Sequence, residues 1–268
     1  MKANKYKILV LSDLNKSINT TLKSTFSFAK KLSLSVDIDL FCVVKPVDVV
    51  KKDNQLSAMR TVNQEFFKAT KKLESLIEPY TKDTHVNIKY TYIVGHVKNE
   101  INSYIDENQP DIVVLEKKKF KPLNLVANNL TDFILKKHKG DVLIVNNKNI
   151  LEANKEFSLG LLNHTENIFN LSATKDLINQ SKETLKSFRI VNSLNSISEQ
   201  KNKENNKDIT EYVFEHNDNT VNSLKNYLTI NNINLLCIER SEKNNNALEK
   251  ITFKNIINKV DTAVLLTC

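Results

Sequence analysis

Short apolar runs alternate along this chain with longer stretches in which apolar residues recur every three or four positions. Tyr6–Leu11 is a compact apolar run suited to a strand buried on both faces, and it ends at Ser12-Asp13. Ile18, Leu22, Phe26, Ala29 and Leu32 then follow the helical period, with Asn15 or Ser17 placed to cap the start. Val36–Val44 reads as a strand followed by a loop containing Pro46. Leu56, Met59, Phe66, Leu73 and Ile77 mark one side of a long helix that stops before Pro79. Val86, Ile88, Tyr90, Tyr92 and Val94 alternate as one face of a strand, and Gly95 turns the chain into a helix near 99–108. A strand at Asp111–Leu115, a helix from about Asn124 to Lys137 ending at Gly140, and a strand at Asp141–Val145 complete the series. Strands separated by helices predict an α/β fold: a parallel sheet with right-handed crossovers and helices on both faces.

The same order returns in worn form. Tyr92–His96 is echoed by Tyr212–His216, and Ile101-Asn-Ser by Val221-Asn-Ser. Ile112–Lys117 is echoed by Leu235–Arg240, and Asp141–Val145 by Thr262–Leu266. The repeat opens with a strand at Phe157–Leu162 and a helix through Leu171, Leu177 and Ile178. The polar segment Ser196–Lys207 replaces the first half's second helix and reads as a mobile loop. With Asn146–Glu156 as linker, the division is 1–148 and 149–268, two superposable units each with its own mostly parallel five-stranded sheet.

The stretch from Asp111 to Val145 gives strand, loop, helix, strand, and together with the repeated order it resembles the universal stress protein family, here as a tandem of two such domains. That resemblance implies a nucleotide site framed by glycines: one closing the strand, a second shortly after, and a Gly-Ser or Gly-Thr pair nine residues on. Those positions are Glu116, Lys119, Asn129 and Leu130 in this chain. Phosphate cradling needs backbone N–H groups brought close to the anion, which side chains obstruct. The resemblance further implies that Asp13, beside Ser12, helps hold a nucleotide, that backbone near Val43 contacts its base, and that Asn163 stands for Asp13 in the second half. Lys117, Lys118 and Lys119 offer point charges in place of a glycine-lined nest. The expectation is a degenerate site built from Ser12, Asp13, Val43, Glu116, Lys117, Lys119, Asn129 and Leu130, with no cofactor. A site rebuilt for ATP around Asp13 and the lysines stands as the alternative. The resemblance also implies pairing of the two last strands, Asp141–Val145 with Thr262–Leu266, as an internal pseudo-dimer covering two sheet edges.

Composition narrows the remaining classes. The 268 residues are 40% hydrophobic and 26% charged, enough apolar material for a sizeable core. No apolar run reaches the roughly 18 residues of a membrane helix, and the opening residues lack a signal-peptide pattern, so a cytoplasmic protein is expected. The net charge of +8 comes from residues 1–150, but its lysines are scattered and Arg60 is the only arginine there, which disfavours nucleic acid as a partner. Cys42, Cys237 and Cys268 have no metal or disulfide spacing. Three glycines, Gly95, Gly140 and Gly160, exclude a dinucleotide loop and a P-loop. His96 and His216 recur at matching places without a Ser, Cys or carboxylate at a defined spacing, so no catalytic or metal residue is assigned. The expectation is a non-enzymatic stress-response binding or regulatory protein with an unidentified protein client, homodimerisation being left open.

Overall fold

The apolar runs become ten strands of one sheet in the computed structural model, which describes residues 5–14, 17–45, 55–117, 125–191, 209–240 and 255–268. The first half supplies β1 (Tyr6–Ser12), α1 (Ile18–Ala29), β2 (Val36–Val44), α2 (Gln55–Ile77), β3 (Val86–Val94), α3 (Val97–Asn108), β4 (Ile112–Glu116), α4 (Leu125–Lys137) and β5 (Asp141–Val145). The second supplies β6 (Leu159–Leu162), α5 (Ser172–Gln180), β7 (Leu185–Val191), β8 (Ile209–Glu215), α6 (Thr220–Ile230), β9 (Leu235–Glu239) and β10 (Ala263–Thr267). A short helical segment at 255–259 precedes β10. Ser17 is the N-cap of α1 but makes no side-chain capping bond, and Asn15 and the polar run Ser196–Lys207 lie outside the described residues.

The strand order is β3-β2-β1-β4-β5-β10-β9-β6-β7-β8. Neighbours within each half are parallel, as helical crossovers require, and the order 3-2-1-4-5 is repeated as 8-7-6-9-10. At the seam β5 and β10 run antiparallel, with Leu143 facing Leu265. The expected last-strand pairing is therefore present, and it corrects the expectation of two separate sheets: hydrogen-bonding the last strands merges them into one.

The ladders also fix which residues of the two halves correspond. Ile112 faces Asp141 while Leu235 faces Ala263, so the β4–β9 echo stands and the partner of Asp141 is Ala263, one residue beyond the expected Thr262. Phe41 faces Thr91 while Phe188 faces Tyr212, which shifts the Tyr92 echo by one. Gln109 (φ 46°) and Asn232 (φ 52°) end α3 and α6 in the same left-handed turn. Counting back from them aligns buried Ile101 with buried Leu224, rather than with Val221. The repeat is real in topology, and the β4–β9 match is in register, but the other letter matches lie one to three positions out of it.

Period-2 alternation divides the core into two layers. Leu143, Val145, Ala263 and Leu265 face the side covered by α1, α2 and α5; Val142, Ile144, Val264 and Leu266 face α3, α4 and α6. Both layers run unbroken across the seam. Leu73 and Ile77 anchor α2, whereas Phe66, expected on its buried side, is 48% exposed. The linker is part of the core: Leu151 is fully buried and its N–H donates to Ser24 Oγ (3.1 Å). Across the same layer Asp176 of α5 accepts from Ser33 N–H (3.0 Å), Ser33 Oγ (2.8 Å) and Tyr6 OH (3.1 Å). Val264→Lys should therefore destabilise the whole protein by several kcal/mol, since an unpaired charge would replace a side chain buried in the shared core. Lys182→Ala, at a side chain 86% exposed, should change stability by less than about 0.5 kcal/mol in the same urea titration.

Candidate functional site

In an open parallel sheet, ligands bind beyond the carboxyl ends of the strands where the order reverses. This chain has two such places, between β1 and β4 and between β6 and β9. At the first, Ser12 Oγ accepts the Leu14 N–H (3.2 Å), Leu14 takes φ 57°, and Lys72 of α2 donates to Leu14 O (2.7 Å). Asp13 is exposed at the end of β1. Glu116, closing β4, accepts from Asn147 Nδ2 (2.8 Å), and Asn147 Oδ1 in turn accepts the Thr20 hydroxyl of α1. A chain of the protein's own side chains thus links β4, the segment after β5 and α1 across the crevice.

Among the described residues, the expected set does not converge. Ser12, Asp13 and Glu116 border the crevice, and Val43 lies behind it, buried in β2. Lys117 points away: its N–H continues the ladder to Val145 O (2.8 Å), while Nζ donates to Val260 O beyond the seam. Leu130 packs on the apolar layer, and Asn129 lies beside it within α4, so neither forms a phosphate-binding loop. Lys118 and Lys119 fall outside the described residues. Burial pushes Lys117 down from its ordinary 10.5 to about 8, opposed by Asp261 and reinforced by Lys225 and Lys148.

At the second crevice Val10 facing Val114 corresponds to Leu161 facing Cys237, so the counterpart of Asp13 is His164 and that of Ser12 is Asn163. This corrects the assignment of Asn163 to the Asp13 place. Asn163 (φ 43°) uses Oδ1 to accept the Ile190 N–H (2.7 Å), tying β6 to β7. Glu239, the counterpart of Glu116, accepts both the Thr165 N–H (3.1 Å) and the Thr165 hydroxyl (2.7 Å). A backbone N–H of the kind that binds an anion is already occupied by a carboxylate of the chain. His164 Nε2 lies 3.1 Å from Ser187 Oγ and Nδ1 lies 3.3 Å from Thr165 O, with the Ser187 side chain sealed inside β7. Burial pushes the His164 pKa down. His96 and His216 are not counterparts: the His216 N–H bonds Val191 O as that of Gly95 bonds Val44 O.

One polar cluster escaped the sequence reading. Asp39, 4% exposed in β2, accepts from Thr91 Oγ1 (3.1 Å) and from Tyr104 OH of α3, and pairs with Lys89 Nζ (3.3 Å). It floors a cleft of about 230 Å³ bordered by Lys7, Asn87 and Asn108. The only available signal was an acid within the apolar run Val36–Val44. Burial, then the bond to Asp39, pushes the Tyr104 hydroxyl upward. Cys42 and Cys237 are buried thiols raised to about 12 by burial, consistent with small apolar core groups. Among the described residues no cluster of His, Cys, Asp or Glu is arranged to hold a metal, and no helix is long and apolar enough to cross a membrane.

Two outcomes follow. Tyr104→Phe leaves the buried Asp39 short of a donor and should cost about 1–3 kcal/mol in denaturant unfolding. For Lys117 the folded pKa lies below the unfolded value, so between about 8 and 10.5 the unfolded chain binds more protons. Stability attributable to Lys117 should thus rise with pH across that window and be lost as pH falls through 8. Lys117→Met should flatten this part of the stability–pH profile.

No family model and no curated protein matches the sequence. Solved structures match across nearly the whole chain. A universal stress protein from Archaeoglobus fulgidus aligns over 97% of this chain and 95% of its own, with a TM-score of 0.66 and 12% identity. A functionally unknown protein from Pseudomonas aeruginosa aligns over 97% and 92%, at a TM-score of 0.52 and 10% identity. The cytoplasmic domain of a prokaryotic cation chloride cotransporter aligns over 98% and 95%, at a TM-score of 0.50 and 14% identity. At these identities the likeness concerns the fold, and the fold of this chain is that of the universal stress proteins.

Proposed function

We propose that this chain is a tandem universal stress protein, with units at 1–148 and 149–268 joined as an internal pseudo-dimer, acting as a non-enzymatic binding or regulatory protein in the stress response without tight ATP binding. The observation that carries the reading is the pair of carboxylates at the ends of β4 and β9. Glu116 is engaged by Asn147, and Glu239 by the Thr165 backbone and hydroxyl. Each stands where a glycine would leave room for phosphate, and each brings a negative charge that repels a polyphosphate. A nucleotide entering either crevice has to displace an internal anion and leave its former donors to be satisfied anew.

A cytoplasmic location and a protein client belong to the same proposal. The fold occurs in the matched structures both as a universal stress protein and as part of a cotransporter, so the client is to be sought by experiment rather than by analogy. Calorimetric titration of ATP and ADP at moderate salt should give no micromolar or tighter binding. Denatured, freshly purified protein should release no stoichiometric nucleotide. Binding in that range, or co-purified nucleotide, would favour instead a site rebuilt around Asp13 and the lysine loop Lys117–Lys119.

A further inference from the structure

The residue after each closing glutamate is a cation, and both cations cross the seam. Lys117 Nζ donates to Val260 O, just past the helical segment that precedes β10. Arg240 Nη1 donates to Leu135 O (3.3 Å), and Nη2 to His138 O (3.2 Å) and to Gly140 O, carbonyls at and beyond the C-terminal end of α4. The two are register counterparts: the Lys117 N–H bonds Val145 O as the Arg240 N–H bonds Thr267 O. Each half therefore places a positive charge on the carbonyl end of the other half's last helix, the end where unsatisfied carbonyls and the helix dipole favour cations.

Alternation along the strand gives this pair a geometric consequence. In β9, Leu235 and Cys237 belong to one layer and Leu236 and Ile238 to the other. Glu239 continues on the first side, toward Thr165, and Arg240 on the second, toward α4. Adjacent residues thus hold a crevice on one face and clamp the opposite half on the other, with a single peptide bond between them.

We propose that Glu239-Arg240 is a lever: release of Glu239 from Thr165 loosens the grip of Arg240 on the end of α4, so that the state of the second crevice is transmitted to the seam. Glu116-Lys117 is the matching unit in the first half. The half-buried lysine there, crowded by Lys225 and Lys148, makes one carbonyl contact where the arginine makes three, so the second half carries the stronger coupling. The proposal rests on the reading of the crevices as closed by the chain's own carboxylates. Nucleotide titration tests that reading; amide exchange tests the lever whether or not a nucleotide binds.

The experiment is hydrogen–deuterium exchange on the full chain, read at the amides of 138–141, with 101–105 of α3 as the monitor of global opening. Arg240→Met should raise exchange at 138–141. Thr165→Val, which removes the 2.7 Å hydroxyl bond to Glu239, should raise it there by at least about twofold, the lower range of coupling between residues in contact. Thr165→Ser should restore it, and Thr165→Val should add nothing in the Arg240→Met background. Exchange at 138–141 unchanged by Thr165→Val overturns the lever, as does an equal rise with and without Arg240. If Thr165→Val also opens 101–105, Glu239→Gln takes its place under the same criteria.

Discussion

Antiparallel pairing of β5 with β10 is the interaction on which the rest of the molecule depends. Without it each half would end in a strand whose backbone edge and apolar side chains face water. With it, Leu143 and Leu265 meet at the seam and the layers on both faces of the sheet become continuous. Full burial of an aliphatic side chain is worth about 1.5–3 kcal/mol, and several from each half are buried along this line. Asp176 holding Ser33 and Tyr6, Leu151 bonded to Ser24, and the two cations at helix ends then reinforce a junction that the strands have already made.

That junction and the crevices are built from neighbouring residues. The resemblance to the universal stress proteins implies phosphate at the end of the fourth strand, with glycine keeping the backbone bare. Here the same turn carries a carboxylate that satisfies nearby donors and a cation that reaches across the seam. The two halves do so with different partners, Asn147 for Glu116 and Thr165 for Glu239. Similar outcomes reached through different contacts suggest closure of the crevice as the shared physical solution. The Asp39 cluster has no such echo: its register counterpart is Lys186, and the Thr91 and Tyr104 positions become Tyr212 and Tyr227, packed edge to face at 5.5 Å.

The fold was legible because period and punctuation are local properties. Val36–Val44 and Asp141–Val145 match the observed strands, since short runs dominated by apolar residues, here with Asp37 and Asp39 inside the first, can be buried only between two helical layers. Register was less legible. Tyr212–His216 looks like Tyr92–His96 letter by letter, yet hydrogen-bond ladders answer to burial and pleat, which a one-residue slip leaves unmarked in a degenerate alphabet of Val, Ile, Leu and Tyr. Phe66 shares the direction of Leu73 and Ile77 around α2 but lies two turns or more before them, and there its ring meets Tyr92 edge-on at 5.5 Å while staying 48% exposed. At the site, the loss of glycines was visible, but the partners of the carboxylates were not. Thr165, Asn147 and Val260 are distant in sequence or carry no motif, and only the folded chain brings them together.

The most direct test of self-closed crevices is a crystal structure of the full chain grown with a large excess of magnesium and ATP. The account predicts Glu239 on Thr165 and Glu116 on Asn147, with no nucleotide beyond the strand ends. Ordered triphosphate between β1 and β4, with Glu116 swung away from Asn147, would contradict it.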